Sequence, residues 1–137
     1  AVVNAQIEER ESADWKVIGR LKFGGLTKAK MEYTVAGNDT TYLLFIKDVR
    51  DQPKDNYFGI TFKSVDGTYE KLYTLLKSFF LPENKNDRKY SRTFNLGKTG
   101  VHVQHYQLIT GRGIMFSTTE GHTYWSSKDI DKLFGKD

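Results

Sequence analysis

Two of the three histidines lie three residues apart in TGVHVQHYQLITGRG, residues 99–113, a segment that alternates like a β-strand. Three imidazoles can hold zinc. On a regular strand His102 and His105 point to opposite faces, because their spacing is odd. The apolar phase of the segment changes near Gln104, and a β-bulge there would bring both to one side, where His122 of a neighbouring strand could join them. A small metal-dependent enzyme using these histidines is therefore one hypothesis, although scattered histidines are more often surface residues.

Neither a complete phosphate-binding loop nor a serine nucleophile elbow is present in the sequence. NLGKTG, residues 95–100, contains the Gly-Lys-Thr of a phosphate-binding loop, but the Gly required five residues earlier is replaced by Arg92. The serines lie in no Gly-x-Ser-x-Gly nucleophile elbow. The lack of cysteine excludes disulfides, zinc–thiolate sites and cysteine nucleophiles. We therefore predict a protein that is not an enzyme, with no catalytic residue, no metal site and no cofactor.

Basic residues are concentrated in two segments, and a positively charged surface can bind the phosphate backbone of a nucleic acid. Residues 15–30 contain five cations and no acid, and these five are the candidate polyanion-binding residues: Lys16, Arg20, Lys22, Lys28 and Lys30. The second segment contains Lys85, Arg88, Lys89, Arg92 and Lys98.

Aromatic residues near the first basic segment argue against a nucleic-acid surface. Rings that stack on bases must lie on the same side as the cations that contact phosphates. Trp15, Phe23 and Tyr33 alternate to the opposite face. A solvated basic face is the favoured interpretation. Nucleic-acid or phosphate-ligand binding through this sheet face is kept as an alternative.

Composition is typical of a folded, water-soluble protein. The chain has 137 residues, a formal net charge of +4 and 14% aromatic residues, so we predict one domain spanning residues 1–137. No apolar run approaches the length needed to cross a bilayer. The start, AVVNAQIEER, allows two interpretations: the remainder of a cleaved export signal, or an intact chain whose initiator Met was removed. We favour the second and predict a cytoplasmic or virion location, with export as the alternative and residues 1–12 flexible.

Strands dominate the predicted secondary structure. Period-two alternation predicts a mostly antiparallel sheet of about eight strands, in an α+β fold. Continuous apolar residues at the centre of Thr41–Val49 predict a strand buried on both faces.

Two helices interrupt the strands. Apolar residues at helical spacing predict a central amphipathic helix from Tyr69 to Phe80. Asp66 is its predicted N-cap, and Pro82 ends it. Ser126 and Asp129 fit a capping box for a short C-terminal helix.

A short sequence echo raises the question of duplication. GITFKSVDGTY, residues 59–69, resembles GIMFSTTEGHTY, residues 113–124, when one insertion is allowed. Four strands and a helix are predicted twice, so residues 15–81 and 89–135 are candidate β4α repeats. The alternative is that similar turn chemistry arose twice by coincidence.

The segments YLLFIKDVRD, LYTLLKSFF and TYWSSKDIDKLFGKD resemble short uncharacterised proteins of bacterial viruses and their hosts. This resemblance implies a viral or accessory protein and assigns no site residue. Our first hypothesis is a non-catalytic binding or assembly module whose partner is another protein, such as a virion component or an inhibitor docked on a host protein. A nucleic-acid partner and the metal-dependent enzyme are the alternatives, and the sequence leaves the oligomeric state open.

Overall fold

The part of the chain that the structure describes, residues 14–49 and 56–136, forms two antiparallel four-stranded sheets and two helices in this computed structural model. The first sheet has the order β1-β2-β3-β4, with strands Lys16–Phe23, Leu26–Ala36, Asp39–Lys47 and Tyr57–Lys63. The second has the order β5-β6-β7-β8, with strands Ser91–Leu96, Thr99–Leu108, Gly111–Ser117 and His122–Trp125. Helices α1, Thr68–Lys77, and α2, Ser127–Leu133, follow the two sheets. The predicted α+β class is confirmed, while the predictions for residues 1–12 lie outside the described residues.

Tight turns connect the strands within each sheet. The β1–β2 and β5–β6 connections are two residues long, because Phe23 pairs with Leu26 and Leu96 pairs with Thr99. Such hairpins favour residues that adopt positive φ. Gly97, in the NLGKTG stretch, has φ of 60° and lies against the backbone carbonyl of Thr61. The stretch is therefore a hairpin turn that packs on the first sheet.

The inner faces of both sheets contribute to one cluster of buried residues, together with apolar residues of the two helices. In the first sheet, Met31, Leu44 and Ile60 pair across three strands and are almost fully buried. In the second, Val103 pairs with Phe116, and both are fully buried. Burial of apolar surface is the main stabilising contribution to such a core.

The prediction that β3 is buried on both faces is wrong. Leu44 and Ile46 are fully buried, whereas Leu43 and Phe45 on the opposite face are only half-buried. The first sheet therefore has one face in the core and one outer face, as is common for antiparallel sheets.

Helix α1 begins differently from the prediction. Its N-cap is Gly67 in the left-handed conformation, and no side chain caps the helix. Asp66 precedes the cap in a short 3-10 turn with φ of 52°, so its prediction as the N-cap is wrong. The C-terminal boundary agrees with the sequence, since a second 3-10 turn, Ser78–Phe80, ends in an extended residue before Pro82.

Helix α2 joins the two sheets. It starts at the predicted capping box, in which the Ser126 hydroxyl accepts a hydrogen bond from the Asp129 amide at 3.0 Å and the Asp129 carboxylate accepts one from the Ser126 amide at 2.9 Å. Its C-terminal carbonyls of Lys132 and Leu133 lie against Gly19 of β1 at a distance that leaves no room for a side chain. The helix of the second unit therefore packs on the first sheet.

The order of four strands and a helix occurs twice, as predicted, but the sequence echo falls on different elements. Residues 59–69 form β4 and the start of α1, whereas residues 113–124 form β7 and most of β8. The echo therefore relates the fourth strand of one unit to the third strand of the other. Duplication of a β4α unit stays a hypothesis that this echo does not support.

Candidate functional site

The three histidines do not converge. His102 pairs with Ser117, which pairs with His122, so both histidines lie on the outer face of the second sheet with β7 between them. The pairing of β6 is continuous through Gln104, so the predicted bulge is absent. His105 consequently lies on the inner face, against the ring of Phe79 at 5.2 Å.

Each histidine also has a local partner. His102 Nδ1 lies 2.7 Å from the Thr93 hydroxyl, and His122 Nε2 lies 3.2 Å from the Tyr124 hydroxyl. His105 Nε2 donates to the carbonyl of Asn84 at 3.0 Å, since a carbonyl can only accept. Within residues 14–49 and 56–136 there is no group of three His, Asp or Glu side chains placed to hold a metal ion.

The five predicted polyanion-binding residues do not share one face. Arg20 pairs with Lys30 on the outer face of the first sheet. A register shift at Ile18 reverses the alternation of β1, so Lys16 pairs with Tyr33, which lies on the other face. Their joint role in polyanion binding stays a prediction.

The two remaining cations of this group occupy different positions. Lys28 lies at a second register shift, and its ammonium donates to the carbonyl of Tyr124 at 2.9 Å. That hydrogen bond ties β2 to β8. Lys22 is exposed near the end of β1. Of the five, Arg20 and Lys30 are thus the pair that the fold brings together.

A cleft of about 840 Å³ lies at the end of the second sheet. This volume is in the range of ligand-binding pockets. One wall is the loop after α1, with Lys85, Asn86 and Arg88, and the other is the β6–β7 hairpin, residues 105–107 and 111–113. We refer to it as the basic cleft.

Hydrogen bonds fix the loop wall of the basic cleft. The amides of Asn84 and Lys85 both donate to the carbonyl of Leu81, and the Asn84 side chain donates to the carbonyl of Ser78. The Asp87 amide then donates to the carbonyl of Asn84, which forms a second turn. These contacts give the polar segment PENKNDRK, residues 82–89, a defined conformation.

Arg112 joins the loop to the hairpin. Its guanidinium donates to the carbonyl of Lys85 and to Oδ1 of Asn86, both at 2.6 Å. Because the guanidinium is rigid and planar, its two hydrogen bonds to adjacent loop residues hold the loop at a fixed distance from β7. His105 provides the second connection, through its hydrogen bond to Asn84.

The lining of the basic cleft is positively charged. Lys85, Arg88 and Arg112 are exposed, and no carboxylate belongs to the described residues that line the cleft. Asp87, between two lining residues, directs its carboxylate to the amide of Lys89 at 3.1 Å. A concave surface with charges of one sign concentrates ligands of the opposite sign.

Aromatic side chains form the outer side of the hairpin wall. Tyr106 stacks on Tyr124 with ring centroids 4.0 Å apart. Burial, followed by the hydrogen bond with Tyr106, raises the pKa of Tyr124. The Tyr106 ring is therefore held against the sheet, and one of its faces is already covered.

A second polar cluster joins the helices and resembles a Ser–Lys pair. Lys77 Nζ lies 2.6 Å from Ser127 Oγ and 2.9 Å from Asp131 Oδ1. A lysine that serves as a general base must lose its proton, which requires a lowered pKa. Lys77 instead forms a salt bridge with Asp131 that links α1 to α2. We therefore assign this cluster to helix packing.

Lys85 and Arg88 were predicted as part of a basic segment, whereas Arg112 and His105 were not predicted as their partners. Arg112 and Lys85 are 27 residues apart. The available signal was the combination of a basic loop with Arg112 between two glycines.

Comparison of the chain with protein-family models, with curated proteins and with solved structures finds no match. Neither α1 nor α2 combines the length and the apolar character that a membrane-spanning helix requires, and the described residues contain no other candidate.

Proposed function

We propose that this protein is a non-catalytic binding module that holds an acidic region of a partner protein in the basic cleft. The observation that carries the proposal is the cleft itself, about 840 Å³ in volume, whose described lining residues include Lys85, Arg88 and Arg112 but no carboxylate. The resemblance to proteins of bacterial viruses and their hosts favours a virion component or an inhibitor of a host protein.

Charge and shape have separate roles in this proposal. The three cations attract an acidic surface and increase the rate of encounter, an effect that weakens as salt screens the charges. The loop and the hairpin are connected by Arg112 and His105, so the cleft exists before the partner binds. A preformed site loses less conformational entropy on binding than a disordered loop does.

Affinity capture from an extract of the source cells tests this function. The baits are the wild-type chain, a cleft variant with Lys85→Glu and Arg88→Glu, and a control variant with Lys63→Glu and Lys98→Glu. All four positions are exposed, and both variants lower the formal net charge from +4 to zero. We expect the wild type and the control to retain one protein in stoichiometric amount after nuclease treatment, and the cleft variant to lose it. Equal capture by both variants, or capture that nuclease abolishes, would reject the proposal.

A second candidate function is nucleic-acid binding on the outer face of the first sheet. Phe45 and Tyr57 stack there with ring centroids 4.9 Å apart, and Lys30 lies 5.5 Å from the Phe45 ring. Arg20 is adjacent to Lys30, and its buried Nε lacks a hydrogen-bond partner among the described residues. Rings and cations on one face are the combination that single-stranded nucleic acids require.

Binding of a labelled single-stranded oligonucleotide distinguishes the second candidate. If it is correct, the affinity falls steeply with salt and Phe45→Ala weakens binding by about tenfold, whereas Lys85→Glu leaves it unchanged. An affinity that is insensitive to Phe45→Ala excludes this face as the binding surface.

A further inference from the structure

Strand β6 extends beyond its neighbour β5. The last pair between them is Ser91 with Gln104, whereas β6 continues to pair with β7 as far as Leu108 and Gly111. Among the residues that the structure describes, the four from His105 to Leu108 are therefore paired on one side only. This unpaired edge faces the basic cleft, which His105, Tyr106 and Gln107 line.

The chain leaves the sheet before it can cover this edge. The amide of Tyr90 donates to the carbonyl of Asp87, which forms a turn directly before β5. The Tyr90 ring packs against Phe79 at 4.8 Å, and its hydroxyl lies 2.7 Å from Ser78 Oγ. Tyr90 thus fixes the preceding residues against α1 and its 3-10 extension and leaves a gap beside β6.

Side chains of the edge leave the gap open. The Gln107 amide folds back and donates to the carbonyls of Leu108 and Gly111 in its own hairpin, and Tyr106 stacks on Tyr124. In an antiparallel pair, successive residues direct their backbone groups alternately to the two neighbouring strands. Some backbone N–H and C=O groups of His105–Leu108 therefore point away from β7 and towards the cleft.

We infer that an extended acidic segment of the partner protein binds as an added strand along His105–Leu108, in line with β5. This inference rests on the proposed function, since it specifies how the basic cleft holds its partner. Four residues span about 13 Å at the rise of a β-strand. Alternate side chains of the added strand would face Lys85, Arg88 and Arg112, which favours Glu or Asp at every second position.

Two other occupants fit the cleft less well. A second copy of this chain, related by a twofold axis, would bring the same three cations face to face. A nucleic acid offers phosphate oxygens that accept hydrogen bonds from N–H groups and cations, but it leaves the backbone carbonyls of the edge unsatisfied. A peptide backbone satisfies donors and acceptors alike.

Amide spectra of the isotope-labelled full chain test the binding mode, with a short synthetic peptide that alternates Glu and Val as the probe. Two control peptides are used. One is the same peptide with alternate backbone amides N-methylated, and the other alternates Lys and Val. We expect the first probe to slow amide hydrogen exchange within residues 105–108, and N-methylation to weaken binding by about tenfold, because two backbone hydrogen bonds are lost. The Lys and Val peptide should not bind.

The outcomes separate this inference from the proposed function. Equal binding of the N-methylated peptide, or unchanged exchange in residues 105–108, would refute strand addition while leaving the cleft as an acidic-partner site. If no acidic peptide binds the wild type, and the affinity capture still yields a partner that the cleft variant loses, strand addition is again rejected and the function stands. If the capture also fails, the proposed function is rejected with it.

Discussion

Asp131 is the residue on which the polar contact between α1 and α2 depends. Its Oδ1 accepts hydrogen bonds from the Tyr73 hydroxyl at 2.6 Å and from Lys77 Nζ at 2.9 Å. Burial by itself would raise the pKa of this carboxyl, but the hydrogen bonds from Lys77 and Tyr73 outweigh burial and lower it. The hydrogen bond between Tyr73 and Asp131 is also the main cause that raises the pKa of Tyr73 to about 12.

Asp131→Asn should therefore destabilise the protein in a pH-dependent way. A carboxyl whose pKa is lower in the folded state stabilises the fold above its unfolded pKa, and this contribution disappears as pH falls through the folded pKa. We expect a loss of about 1 kcal/mol in the free energy of unfolding at neutral pH, measured by urea denaturation. The difference from wild type should shrink as the pH falls below the ordinary carboxyl pKa of 3.8 and disappear below the lowered pKa of the folded state.

The exposed carboxylate Glu120 provides the control, since Glu120→Gln should leave the stability unchanged at every pH. A constant difference between Asp131→Asn and the wild type across the acid range would show that shape, rather than charge, holds the helices together.

Single residues show which parts of the structure the sequence could predict. The Ser126–Asp129 capping box was predicted because both partners lie within one helical turn. The odd spacing of His102 and His105 correctly predicted that they lie on opposite faces. The prediction of a bulge that would bring them to one face was wrong. The change of apolar phase near Gln104 instead reflects Tyr106, which stacks on Tyr124 outside the core.

Gly19 is required where α2 meets β1. A Cβ at this position would overlap the backbone carbonyls of Lys132 and Leu133, which cannot move as a flexible side chain can. Gly19→Ala should reduce the free energy of unfolding by about 1–3 kcal/mol. Gly25→Ala is the control, because no described residue has an atom within 4 Å of its Cβ position. Equal thermal stability of the two variants would contradict the close approach.

The cap of α2 gives a second prediction for this element. Ser126→Ala removes the oxygen that accepts from the Asp129 amide and should lower the stability by about 1 kcal/mol, measured by urea denaturation. Lys128→Ala, an exposed change in the same helix, should have little effect. A smaller loss for Ser126→Ala than for Lys128→Ala would mean that packing alone determines where the helix starts.

The strands and helices themselves were largely predictable from the sequence, whereas the places where they begin or contact one another were not. Period-two and helical spacing identified the strands and α1. The start of α1 was missed because the left-handed conformation of Gly67 replaces a side-chain cap. The register shift at Ile18, which separates Lys16 from Arg20, lies where β1 contacts the end of α2, a tertiary contact that the local sequence does not indicate.

For the whole molecule, the basic cleft depends on the tertiary connections between its loop and its hairpin, of which Arg112 provides one and His105 the other. Arg112→Ala removes the hydrogen bonds to Lys85 and Asn86. The amides of Lys85 and Asp87, which donate within the loop, should then exchange their hydrogens several-fold faster. Lys98→Ala at the opposite end of β6 is the control. Unchanged exchange in the Arg112 variant would show that the loop holds its conformation without Arg112.

The measurement that tests the central claim most directly is the affinity of the Glu and Val peptide for three proteins, measured by titration calorimetry at low and high salt. The proteins are the wild type, Lys85→Glu/Arg88→Glu and the charge-matched Lys63→Glu/Lys98→Glu. We predict a loss of at least about tenfold for the cleft variant, about twofold or less for the control, and weaker binding of the wild type at high salt. Equal losses in the two variants would contradict the claim, because net charge rather than the basic cleft would then determine binding.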